Sequence, residues 1–176
     1  MITRSTFNSG QTGEYLAAAE LARLGFAVSV LGGIAADIDL LAYGYKKTLP
    51  VQVKSASHKN FRFDARKFVS IDFPEGQSQI VNGPREDLDQ AIVIALVSIG
   101  GTLKESDITW TTIGSFSRCL AHYQKWNLGR LTERNPGTRI TTTQLILSLN
   151  DIRKELDELR TEDVLGVSAP APNEVF

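Results

Sequence analysis

The chain has 176 residues, 42% of them hydrophobic, which suits one compact domain with a real core and is too short for two of ordinary size. A single cysteine, Cys119, and two histidines, His58 and His122, exclude an internal disulfide and a thiolate cluster and argue against a His-rich zinc site, so any metal is expected on oxygen ligands. The net charge is −1, the longest apolar run (residues 91–97) is far below the ~20 residues that span a bilayer, and no signal pattern opens the chain, so the expectation is a cytoplasmic protein without a membrane partner.

Residues 11–24 have helical composition, with an alanine-rich middle and Gly25 placed to end the helix. At about 100° per residue, Tyr15, Ala17, Ala18, Leu21, Ala22 and Leu24 form an apolar arc, with Glu14 near its centre and Glu20 at its edge beside Arg23. A carboxylate on a buried face is costly unless it is paired, protonated or bound to a metal, whereas an exposed first-turn Glu is favoured by the helix dipole; both readings stand for Glu14. Residues 26–31 read as a strand and Gly32-Gly33 as the turn after it.

Residues 37–41 and 51–54 read as adjacent strands of a hairpin that turns near Gly44. The segment 56–75 is basic and aromatic, with a short strand at 68–73, and 84–90 reads as a helical turn or a loop. The run 91–97, bounded by Gly100-Gly101, fits a central strand buried on both faces, and 107–113 gives another strand. Phe116, Leu120 and Tyr123 have helical spacing over 115–126, with Cys119 on the packed side, and a loop follows at 129–137. Residues 144–149 read as a strand or a helix start, and Asn150 as the cap of a helix over 151–160 with Ile152, Leu156 and Leu159 buried. The end, with Ala169-Pro170-Ala171-Pro172, reads as a flexible tail, which gives one domain over 1–161 and a tail over 162–176.

The hairpin is the place to look for chemistry. Val51 and Val53 alternate with Gln52 and Lys54, so the valines face one side and the polar pair the other. A turn near Gly44 brings Asp39 opposite Gln52, so that a carboxylate, an amide oxygen and an ammonium converge, with Asp37 on the same face as a second candidate acid. Charge is also segregated. Residues 46–67 hold Lys46, Lys47, Lys54, Lys59, Arg62, Arg66 and Lys67 against Asp64 alone, a net +6, while residues 150–176 carry a net −4. With Phe61 and Phe63 interleaved, the basic block suits a phosphate backbone; its plain alternative is a solvated loop.

Gly13-Glu14 on the first helix, Asp39 on the second strand and Gln52-Val53-Lys54 on the third resemble the PD-(D/E)xK nuclease superfamily. More narrowly, they are similar to the branch that includes archaeal Holliday junction resolvases and an intron-encoded homing endonuclease. The strong resemblance covers residues 10–55. It implies an α/β fold with a restriction-endonuclease-like αβββαβ core, a central mixed sheet flanked by helices. It further implies a Mg²⁺-dependent DNA endonuclease in which Mn²⁺ can substitute. Carried over by residue, Asp39 is the central metal ligand, Glu14 the first-helix acid, Lys54 the lysine beside the attacking water, and Gln52 stands where most members have Asp or Glu. Gln52 and the Val53 carbonyl then serve as neutral metal ligands. The expected DNA-contacting residues are Lys46, Lys47, Ser55, Lys59, Arg62, Arg66 and Lys67, with His58 near them on the surface. Branches of this fold often dimerise to cut two strands, so a homodimer is an expected partner alongside DNA. The alternative function is a nuclease-fold DNA-binding protein that has lost catalysis through Gln52.

Overall fold

A computed structural model describes residues 6–35, 37–57, 60–156 and 164–166. Its centre is a five-stranded mixed sheet in the order β1-β2-β3-β7-β8, formed by Ala27–Ala35, Ile38–Gly44, Lys47–Ala56, Val93–Ser98 and Asp107–Thr112. Strands β1, β2 and β3 run antiparallel in sequence, β3 and β7 pair in parallel, and β8 closes the edge antiparallel to β7. Helices lie on both faces, as expected for the α/β class.

Helix α1, Thr6–Arg23, covers one face. Gly13, Ala17 and Leu21, four residues apart, form its fully buried line, whereas Tyr15 and Ala22 are exposed. The expected arc is therefore rotated, and Glu14 flanks the buried line, half-buried, instead of sitting at its centre. The helix ends where Gly25 adopts φ +90°: the Phe26 N–H bonds to Leu21 O and the Gly25 N–H to Ala22 O, each at 3.0 Å, which satisfies the last carbonyls. Leu40, Ala42, Val51, Val93, Ala95 and Val97 pack beneath α1. Val164 and Leu165 join the same core, with Leu165 wholly buried; the rest of the expected flexible tail, residues 162–163 and 167–176, lies outside the described residues.

The other face is built around phenylalanines. Phe61 and Phe63 come from β4, Asn60–Asp64, which pairs with β9, Gln144–Ser148; Phe68 follows the 3-10 turn at Ala65–Lys67; and Phe116 belongs to α2, Ile113–Arg134. Phe63 and Phe68 meet the Phe116 ring edge-on at centroid distances of 5.3 and 5.0 Å. The strand β4 was not expected, and it corrects the reading of its aromatics: Phe61 and Phe63 are core, with Arg62 alone pointing out between them.

The route from β3 to β7 departs from the αβββαβ order. It carries β4, then β5 (Val69–Asp72) paired with β6 (Ile80–Pro84), and a loop at 85–92, while the helix covering that face, α2, comes after β8. Two further expectations change. Gly32-Gly33 is not a turn but part of a longer β1, where the register slips between Val30 and Ala35. The last helix, α3, spans Leu149–Glu155 and is capped by Ser148, not Asn150, because the Ser148 hydroxyl accepts from the Asp151 N–H while Asp151 returns the bond; Leu159 lies outside the described residues. Helix α2 also continues through the expected loop at 129–137 as far as Arg134.

Close packing of α1 on β3 depends on Gly13. A Cβ there would lie 2.5 Å from Ser55 Cβ, so Gly13→Ala is expected to destabilise the protein by about 1–3 kcal/mol, read as a lower midpoint in urea unfolding with an unchanged slope.

Candidate active site on the β2–β3 hairpin

The hairpin forms because its turn and its two faces agree. Tyr45 and Lys46 both take positive φ, 51° and 61°, the pairing of a tight two-residue hairpin turn. The Tyr45 hydroxyl donates to Leu24 O at 2.8 Å, and its ring packs on Phe26, which fixes the turn against the end of α1. From Gly44↔Lys47 the ladder runs to Leu40↔Val51 and stops. Asp37, at φ 61°, turns the chain into β2, and Asp39 stands at the first position beyond the last rung.

There the side chain replaces the ladder: Val53 N–H donates to Asp39 Oδ2 at 2.6 Å. In an extended strand the N–H and C=O of one residue point to the same side, so the Val53 carbonyl also faces the gap that Asp39 occupies. Gln52 and Lys54 point to the phenylalanine face, beside Ile94 and Leu96 of β7 in register, where apolar side chains would otherwise continue the core. Gln52 is only 6% exposed, and its Nε2 donates to Asp37 Oδ1 across a long 3.5 Å. Lys54 is half-buried, with its Nζ 5.9 Å from the Phe68 ring centroid.

The charges are strained by burial. Loss of water pushes the Lys54 ammonium below its ordinary value of 10.5; Asp39 and Asp37 pull it back, and the neighbouring Lys67 pushes it further down. Burial, then the negative charge of Asp39, pushes the Glu14 carboxyl above 4.5, which places helix acid and strand acid within electrostatic reach of each other. A group whose folded pKa is raised contributes stability below its unfolded value and loses it as pH rises through the folded value. Glu14→Gln is therefore expected to raise the urea midpoint near neutral pH, with the gain vanishing once the pH falls below 4.5.

Among the described residues no three His, Cys, Asp or Glu side chains group closely enough to hold a metal. The donors present are the carboxylates of Asp39 and Glu14, the Gln52 amide oxygen and the Val53 carbonyl. The set is all oxygen and poor in acids, with Glu14 within electrostatic reach of Asp39.

The expected DNA-contacting residues are dispersed. Lys46 and Lys47 sit at the turn, roughly 17 Å along the ladder from Asp39 at ~3.3 Å per residue. Ser55 faces α1, where its hydroxyl donates to Ser9 O at 3.0 Å. Arg62 is exposed on β4, and His58 and Lys59 lie outside the described residues. Lys67 does approach Lys54, and Arg66 is close by but engaged: its guanidinium holds Asp64 at 2.7 Å and keeps that carboxyl down to about 2. Arg85, which no motif in the sequence singles out, reaches the 3-10 turn at Ala65–Lys67 and lies within electrostatic reach of Asp37. It binds Asp87, donates to Arg66 O at 3.4 Å and feels the charge of Asp37. Only its place in a loop, next to Pro84, marks it in the sequence. Arg66 and Arg85 flank an open cavity of 580 Å³ that also takes in Ser70 and Asn82.

No protein-family model matches the chain, and no curated protein matches it. Among solved structures, the bacterial homing endonuclease I-Ssp6803I is similar over 93% of this chain and 86% of its own, at 16% identity and a TM-score of 0.37. A likeness of that size carries no argument about function.

Proposed function

We propose that the chain is a metal-dependent endonuclease of the PD-(D/E)xK type that hydrolyses phosphodiester bonds in DNA. The observation that carries this reading is the break in the β2–β3 ladder, where Asp39 takes the Val53 N–H and opens towards Gln52, Lys54 and Glu14. Hydrolysis of a phosphodiester needs an activated water, relief of the charge that builds on phosphorus and support for the leaving oxygen. Mg²⁺ or Mn²⁺ held by Asp39, Glu14, Gln52 and the Val53 carbonyl would supply Lewis acidity there.

This chain's own groups do the rest. Asp39 is fixed by its hydrogen bond and keeps its second oxygen for a ligand. The Lys54 ammonium, poorly solvated and close to two aspartates, is placed to offset negative charge at the phosphate or, through its lowered pKa, to take the water's proton. Gln52 contributes orientation without charge, since its nitrogen faces Asp37. Lys67 extends the cationic rim on the same side.

Incubation of DNA with Mg²⁺ or Mn²⁺ tests the proposal: nicked or cut products that vanish on chelation are expected. Intact DNA across a panel of metals, with salt-dependent binding retained, would select the alternative of a binding protein silenced by Gln52, a reading favoured by the absence of a third clustered acid among the described residues.

A further inference from the structure

Away from the hairpin, the midpoint of α2 carries an exposed indole. Trp126 is 56% exposed, although it is one of two tryptophans and the other, Trp110, is buried at 5%. The Arg130 guanidinium lies 4.8 Å from the Trp126 ring centroid, held by a bond from Nη2 to Asn127 Oδ1 at 3.2 Å. Strand β9 runs alongside and presents Ile146, 60% exposed. Tyr123, Gln144 and these residues enclose a cavity of 190 Å³, enough for a planar ring system and too small for a folded element.

The chemistry of this cavity selects its occupant. Among the described residues no carboxylate lines it, and Arg62 flanks it as the β4 partner of Ile146. Along α2, Arg118, Lys125, Arg130 and Arg134 face a single acid, Glu133. The acids that approach Tyr123 from α3 are already engaged: Asp151 by Ser148, and Glu155 by His122 at 3.7 Å. An apolar partner surface would leave Arg130 and Arg62 uncompensated, whereas a base stacked on the indole brings its own phosphate to them. The amides of Asn127 and Gln144 and the Tyr123 ring suit a heterocycle that is no longer paired.

We infer that Trp126 and Arg130 form a stacking platform for an unpaired base of single-stranded DNA, on the same side of the central sheet as Lys54. The inference rests on reading the chain as a DNA nuclease, and it names the form of its substrate: DNA with a single-stranded segment, as at a junction, flap or bubble.

Titration with a dT oligomer in EDTA, followed by tryptophan emission, tests it without requiring cleavage. Saturable quenching is expected, weaker with a duplex of equal length, and Trp126→Ala or Arg130→Ala should weaken oligomer binding about tenfold or more. Both side chains lie outside the core, so circular dichroism of the variants should match the parent. Binding by Trp126→Ala within twofold of the parent overturns the platform, and so does a Trp126→Ala chain that changes only from dimer to monomer in sedimentation, which would make the patch an interface between copies. Trp126-dependent binding without cutting under any metal keeps the platform and removes the nuclease; cutting with Trp126-independent binding does the reverse.

Discussion

Lys54→Met is expected to reduce DNA cleavage by about 100- to 10,000-fold, the range for loss of a proton-transfer or charge-stabilising group, while DNA binding changes only a few-fold. Stability should move the other way. The lysine's folded pKa is lowered, so its charged form is disfavoured by folding: that cost is present at neutral pH and is relieved as pH rises from the folded value to 10.5. Methionine keeps the stem that packs toward Phe68 and deletes the ammonium, so the urea midpoint should rise near neutral pH, with the gain shrinking towards pH 10.5. A merely structural lysine would show lost stability and unchanged turnover per folded molecule. Opposite movements of activity and stability mark a group kept under strain for chemistry.

Asp39 separates charge from architecture. Asp39→Asn keeps an oxygen that accepts the Val53 N–H, so its fold should survive, yet the anionic ligand is gone and cleavage should fall at least about 100-fold. Asp39→Ala loses the same activity and also leaves the Val53 N–H without its partner, at a cost of about 1–3 kcal/mol. The difference between the two variants in denaturant midpoint, at equal loss of activity, measures the hydrogen bond alone.

The hairpin was legible because two signals coincide there. Alternation of Val51 and Val53 with Gln52 and Lys54 fixes the faces, and Gly44, whose Cβ would come within 2.8 Å of Phe26, fixes the turn. The buried run over β7 was equally plain, since nothing polar interrupts it. Legibility failed where one chemical signal masked a period. In residues 60–64 the positive charge drew attention to Arg62 as a DNA contact, although Phe61 and Phe63 on either side of it spell a half-buried strand. Gly32-Gly33 reads as a turn on composition, and only pairing with β2 carries the chain through it. Arg85 and Phe68 became visible through tertiary contact: Arg85 by feeling Asp37 from a different loop, Phe68 by lying near the Lys54 ammonium. Val164 and Leu165 carry too short an apolar signal to announce a core contact, yet Leu165 is wholly buried.

Whether this open end of the hairpin hydrolyses DNA is the central question. The direct measurement compares the parent protein, Lys54→Met and Asp39→Asn on supercoiled, linear and branched DNA, with Mg²⁺, with Mn²⁺ and with chelator. The expected result is cutting of at least one DNA form by the parent, only when metal is present, and none by either variant at matched DNA occupancy. Cutting by either variant at the parent's rate, cutting that persists in chelator, or no cutting of any form by the parent would contradict it.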